Sequence, residues 1–177
     1  VYDLKLGTTQ NITEGMMGYD INPQYSPDGK YIAWQSMEHD GYESDWNRLF
    51  VMNLETGEKQ FISEGFKSNV DDFCWNAEST GFYFTGVWHA RSHIYSLDLH
   101  SLALNKITEG DYDYASLALA GEQLIAKRPS LSAADEIYAV QLDGNVNQLT
   151  AENKHFYDHI TMGKVEERWI KTTDGKG

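Results

Sequence analysis

Ile12-Thr13-Glu14-Gly15 returns as Ile62-Ser63-Glu64-Gly65 and again as Ile107-Thr108-Glu109-Gly110. A worn copy, Gln148-Leu149-Thr150, closes the series. The aliphatic anchors are spaced by 50, 45 and 42 residues. That period is one four-stranded β-propeller blade, and an internal repeat of this length decides the fold before any single residue does. The predicted fold class is therefore all-β: a partial β-propeller of four-stranded antiparallel blades.

Working outward from the anchor, each copy is preceded by the same elements. Phe50-Val51-Met52-Asn53-Leu54, Ile94-Tyr95-Ser96-Leu97-Asp98-Leu99 and Ile137-Tyr138-Ala139-Val140-Gln141-Leu142 alternate apolar and polar side chains, as strands with two unlike faces do. Val1-Tyr2-Asp3-Leu4 is a fourth copy. Tight turns follow at Gly7-Thr8, Thr56-Gly57-Glu58, Leu102-Ala103 and Asp143-Gly144-Asn145, where Gly supplies positive φ without a Cβ penalty. The other half of the blade repeats too. Gln24-Tyr25-Ser26-Pro27-Asp28-Gly29-Lys30-Tyr31 reads as strand, turn, strand, and Phe73 to Phe84 and Leu117 to Ile125 are its counterparts.

The layout predicts whole blades at about 16–63, 66–108 and 111–149, with 1–12 ending a preceding blade. The propeller portion is expected over 1–160, and 161–177 reads as a linker. Residues 155–160 are expected to form one inner strand of a later blade or its exit, and 130–137 a single helical turn with Ser132 as cap. Propellers close at about 4–8 blades. The pattern starts and stops midway, so a longer parent is expected, and unpaired blade faces predict self-association.

Composition narrows the function. The chain is 41% hydrophobic, with 5 Trp, 11 Tyr and 7 Phe, enough to bury a core. Its net charge of −13 argues against nucleic acid and against an anionic membrane surface. No run reaches the roughly 18 apolar residues of a membrane span. Cys74 is the one cysteine, so no internal disulfide or thiolate metal site is available, and it reads as a buried structural residue. No cofactor or metal site is predicted. His89 and His93 lack a third ligand.

Catalytic residues are also absent from the reading. The chain has no Gly-x-Ser-x-Gly elbow and no phosphate-cradling Gly loop. Binding residues concentrate in long loops on a rigid scaffold. The long connections are expected to share one rim: 37–47, 87–92 and 127–131. The first puts Glu38, Asp40, Glu43 and Asp45 within eight residues. Glu43 and Asp45 are the candidate substrate-binding residues, as carboxylates for a substrate ammonium.

Ser26-Pro27-Asp28-Gly29-Lys30, Leu54-Glu55-Thr56-Gly57-Glu58 and the Ile-Ser/Thr-Glu-Gly copies together resemble the propeller of the prolyl oligopeptidase family. Ser36 to Asp45 followed by Arg48-Leu49 is similar to a loop of its dipeptidyl peptidase 5-like and acylaminoacyl peptidase-like branch. Val165-Glu166-Glu167-Arg168-Trp169-Ile170-Lys171-Thr172-Thr173-Asp174-Gly175-Lys176 resembles the segment where these enzymes enter their α/β-hydrolase domain. The resemblance implies a serine exopeptidase parent acting on short peptides, with its triad beyond residue 177. It implies a propeller that gates access, carboxylates that hold the substrate amino terminus, and a periplasmic location. The Ser-Pro-Asp-Gly turn is shared with the periplasmic Tol-system propeller, and a protein-interaction scaffold of that kind is the alternative.

Overall fold

The computed structural model describes residues 1–175. A two-residue-per-strand hairpin comes first, β1 (Tyr2–Asp3) with β2 (Thr8–Thr9). Three four-stranded antiparallel sheets follow, each a meander in chain order. The first is β3 (Asp20–Tyr25), β4 (Tyr31–Ser36), β5 (Arg48–Asn53) and β6 (Lys59–Phe61). The second is β7 (Asp72–Trp75), β8 (Gly81–Trp88), β9 (Arg91–Asp98) and β10 (Leu104–Lys106). The third is β11 (Ala115–Ala120), β12 (Gln123–Lys127), β13 (Ile137–Gln141) and β14 (Val146–Gln148). These are propeller blades, and the all-β reading of the repeat holds.

The blades pack face against face because their central strands are apolar on both sides. Between the first and second lie Ala33, Leu49, Val51 and Ile62 against Phe73, Trp75, Phe82 and Phe84. Between the second and third lie Ile94 and Cys74 against Tyr114, Leu117, Leu124 and Val140. Polar bonds fix the stacking. With the strands of each blade lettered A to D in chain order, the Asp28 amide donates to Ser79 Oγ at 3.0 Å, tying the A–B turn of one blade to that of the next. Trp75 Nε1 donates to the Gln24 carbonyl at 3.2 Å, and Asp72 Oδ2 accepts from the Leu117 amide at 2.9 Å. Buried polar groups without such partners are costly, so these bonds also set which blade register is allowed.

The repeated anchor has one physical job. In each blade the D strand stops pairing before it reaches the start of the C strand, opposite Phe50, Tyr95 and Tyr138 in turn, and a hydroxyl extends the ladder. Ser63 Oγ accepts from the Leu49 amide, Thr108 Oγ1 from the Ile94 amide, and Thr150 Oγ1 from the Ile137 amide, each at 2.9 Å. Ser63 and Thr108 are buried. The Ser-Pro-Asp-Gly turn is equally specified: Ser26 Oγ donates to Asp28 Oδ1 at 2.6 Å and accepts from the Tyr31 amide at 3.0 Å. Gly29 sits at φ +72°, which favours a residue without Cβ.

Three local expectations are corrected. Residues 155–160 are not a strand: Lys154–Tyr157 form the short helix α1. Phe156 and Ile160 are exposed, and among the described residues no strand pairs with this segment. Lys154 Nζ instead reaches Asp158 at 2.7 Å, one helical turn on, and the Glu136 carboxylate takes the Asn153 amide and Nδ2 at 2.9 and 3.0 Å. Residues 130–137 hold no helix. Ser130 and Ala133 form an isolated antiparallel bridge, and the Ser132 hydroxyl donates to the Gly163 carbonyl rather than capping. Finally, 87–92 is no long loop. β8 and β9 pair to their ends at Trp88 and Arg91, leaving His89 and Ala90 as a two-residue turn. Both have positive φ, +52° and +62°, the geometry that matches strand twist in tight hairpins.

Candidate functional site on the loop rim

The B–C and D–A connections lie at the same ends of the strands, so their side chains gather on one rim. In the first blade the B–C connection is 37–47. Met37 is buried and roots it, while Tyr42 and Trp46 are exposed. Asp45 Oδ2 accepts from the His39 amide at 2.7 Å and lies 2.9 Å from His39 Nδ1. The Asp45 side chain is 12% exposed. Burial pushes its carboxyl up, but the bonds from His39 outweigh that and leave it below its usual value. Asp45 therefore folds the loop back on itself. Glu43 is exposed and, among the described residues, has no hydrogen bond or ion pair. Glu38 pairs with Arg48 at 3.5 Å. The loop thus pins one of the two predicted carboxylates and presents the other to solvent, with no bond joining them.

The histidines of the second blade part company. His93 is buried, with Nδ1 3.2 Å from Thr108 Oγ1, and burial, then Lys106, depress its basicity. His89 lies on the surface between Trp88 and the edge of Trp169. Among the described residues no three His, Cys, Asp or Glu are grouped to hold a metal ion. Cys74 is pushed up to about 12, first by burial and then by Asp72, which leaves it a poor nucleophile at neutral pH.

Two features were not visible in the sequence. One is a cleft of about 440 Å³ between the second and third blades, lined by Arg91, Asp111, Tyr112, Ser130, Ser132 and Glu167 among others. Arg91 joins its walls, pairing with Asp111 at 2.7 Å and with Glu167 of the C-terminal stretch. The other is Arg128, whose guanidinium carbon lies 3.9 Å from the Tyr112 ring centre and 3.7 Å from that of Tyr138. Both sites are built from residues far apart in the chain, and no local pattern announces them.

Sheet order and blade stacking define the class: a partial β-propeller of four-stranded antiparallel blades. No family model matches the chain. Its sequence relatives are more specific. It is 44% identical over 176 residues to dipeptidyl-peptidase 5 of Porphyromonas gingivalis, and equally so to that of Porphyromonas endodontalis. Each alignment covers 99% of this chain and 26% of the relative. The chain spans about a quarter of the length of the curated relatives it matches. The resemblance to the dipeptidyl peptidase 5-like branch therefore holds along the whole chain.

Solved structures agree on the fold. Pyrococcus horikoshii acylaminoacyl peptidase matches with TM-score 0.61 at 21% identity, over 76% of this chain and 20% of that one. The β-propeller domain of the Trilobed protease from Pyrococcus furiosus gives 0.57 at 20%, over 71% and 38%. TolB from Acinetobacter baumannii gives 0.57 at 21%, over 76% and 33%.

Proposed function

We propose that this chain is the non-catalytic propeller portion of a serine exopeptidase that cleaves short peptides. It gates entry to a catalytic α/β-hydrolase domain, to which 161–177 leads. The observation that carries the reading is the 44% identity to dipeptidyl-peptidase 5 along 99% of the chain. The absence of a nucleophile elbow from these 177 residues supports a chain inactive by itself. Its substrate partner is a peptide with a free amino terminus. Glu43 and Asp45 hold that ammonium, Glu43 as the open carboxylate and Asp45 as the one His39 fixes.

In the intact protein, Glu43→Gln raises KM for a dipeptidyl substrate by about tenfold or more, the loss of one charge-assisted hydrogen bond. The same variant leaves an N-acetylated substrate unaffected. An unchanged KM for the free-amino substrate removes Glu43 from the site. The TolB match favours the second reading, an interaction scaffold, on fold alone. An intact protein that releases no dipeptide from any substrate supports that reading instead.

Exposed Leu4, Leu6, Met17 and Ile170 support self-association of the 177-residue chain. Sedimentation velocity across a concentration series tests it: a single monomer boundary at all concentrations contradicts it.

A further inference from the structure

The C-terminal stretch crosses the rim from the third blade to the second, and its two ends are held differently. At the near end, Tyr157 Oη accepts from the Ala134 amide at 2.6 Å, and the Ser132 hydroxyl donates to the Gly163 carbonyl at 3.2 Å. Both bonds tie it to the B–C connection of the third blade. At the far end, Glu167 pairs with Arg91, and the rings of Trp169 and His89 meet edge-on at 5.2 Å beside the hairpin turn of the second blade. Among the described residues, 160–171 make no backbone–backbone hydrogen bond. The blade strands are held by ladders, whereas this stretch hangs on side chains. Segments with few backbone bonds and few buried contacts open locally, far below the free energy of global unfolding. Val165, Trp169 and Ile170 are all exposed.

The ion pair at the far end is divided. Arg91 Nε and Nη2 both reach Asp111 Oδ1 at 2.7 Å, and Nη2 also takes Glu167 Oε2. One guanidinium therefore serves two carboxylates of like charge, one on the connection into the third blade and one on the C-terminal stretch. When Glu167 leaves, Arg91 keeps Asp111 and no bare charge remains. The Arg91 side chain is 26% exposed, so water takes the freed N–H. Release of Glu167 thus costs little, unlike the breaking of a buried pair, which strands a charge. Position gives the pair its consequence. Arg91, Glu167, Asp111 and His89 line two clefts at once. One is the 440 Å³ cleft toward the third blade, and the other, of about 290 Å³, lies beside Trp88 and Glu109. The Arg91–Glu167 pair stands between them.

We propose that residues 163–169 are a strap with two positions, latched by the Arg91–Glu167 pair. Closed, the strap divides this part of the rim into two clefts. Open, it swings about the Ser132–Gly163 bond, and the two clefts join as one groove past the hairpin turn of the second blade. Asp111 competes for the guanidinium and repels Glu167, so it favours the open position. One exposed ion pair thus decides whether the rim presents a continuous groove or a divided one.

The test is limited trypsin digestion of the 177-residue chain, read as the rate of cleavage after Lys164. A protease needs its segment extended and off the surface, so the rate follows the open population when opening and closing are fast. Each rate is divided by that of a free peptide of residues 160–172 carrying the same substitution, which cancels sequence effects on trypsin. Cleavage of the parent chain is expected to be about fivefold or more slower than that of the peptide. Arg91→Gln and Glu167→Gln should each remove about two- to fivefold of this protection, the size of an exposed ion pair, and the double variant no more than either alone. Asp111→Asn should increase the protection about twofold. Glu167→Gln changes a residue outside the blades, so it reports on the latch even where Arg91→Gln unfolds the chain. A parent cut as fast as its peptide, or equal protection in the parent and Glu167→Gln, overturns the latch. Protection lost in Asp111→Asn as in Glu167→Gln overturns the competition between the two carboxylates.

Discussion

The Leu49 amide donates to Ser63 Oγ at 2.9 Å, and Thr108 and Thr150 repeat the same bond to Ile94 and Ile137. The Ser/Thr of the repeat therefore completes the C–D ladder where the D strand has already turned away. Thr108 is the most buried of the three. Thr108→Val keeps the shape but leaves the Ile94 amide without an acceptor. It should destabilise by about 1–3 kcal/mol, and Thr108→Ser by much less. Urea unfolding of both variants checks this. A valine variant as stable as the parent removes the hydroxyl's role.

The blade interface predicts a contrast between two phenylalanines. Phe84 is fully buried, with the rings of Phe66 and Tyr95 at 5.1 and 5.2 Å. Phe84→Ala should cost about 3–5 kcal/mol. Phe156, 61% exposed on α1, should cost under about 0.5 kcal/mol when changed to Ala. Similar losses at both sites, measured by denaturant midpoints, contradict the packing described.

Glu136 sets a pH dependence. Hydrogen bonds from Thr150 and then from the Asn153 amide hold its carboxyl at about 2, against an ordinary 4.5. A depressed folded-state value means the folded chain releases its proton more readily than the unfolded chain. The contribution is complete above pH 4.5 and is lost as pH falls from there toward 2. Glu136→Gln should flatten this part of the stability profile and leave the slope above pH 6 alone. Unfolding midpoints between pH 7 and pH 3 that fall equally in both proteins contradict the assignment.

Cys74 should be inert while the chain is folded. With its thiol pushed up to about 12, only about 10⁻⁴ of it is ionised at pH 8. A disulfide reagent should modify it slowly in buffer and rapidly in urea. Equal rates in the two conditions contradict its burial against Leu119 and Tyr83.

The repeat was legible because its residues answer to backbone geometry that recurs in every blade. A ladder hydroxyl at Ser63, Thr108 and Thr150 and a positive-φ glycine at Gly29 are the same solution each time. The His89-Ala90 turn was not legible, since neither residue is a usual choice at positive φ and the twist of two long strands imposes the shape. The aromatic run at 155–160 read as a strand because periodicity carries no information on whether a partner strand exists. On the rim, the carboxylates of 37–47 were readable as a cluster. That His39 would claim Asp45 was not, because it depends on how the loop closes. The Arg128 cage joins tyrosines from the entry to β11 and from β13, which only tertiary structure brings together.

The central claim is that this propeller serves a serine peptidase. Reading the coding sequence past the Gly177 codon tests it most directly. The account predicts an open frame with a Gly-x-Ser-x-Gly elbow within about 150 residues, one domain length. A stop codon at that point, or a continuation without such an elbow, contradicts it.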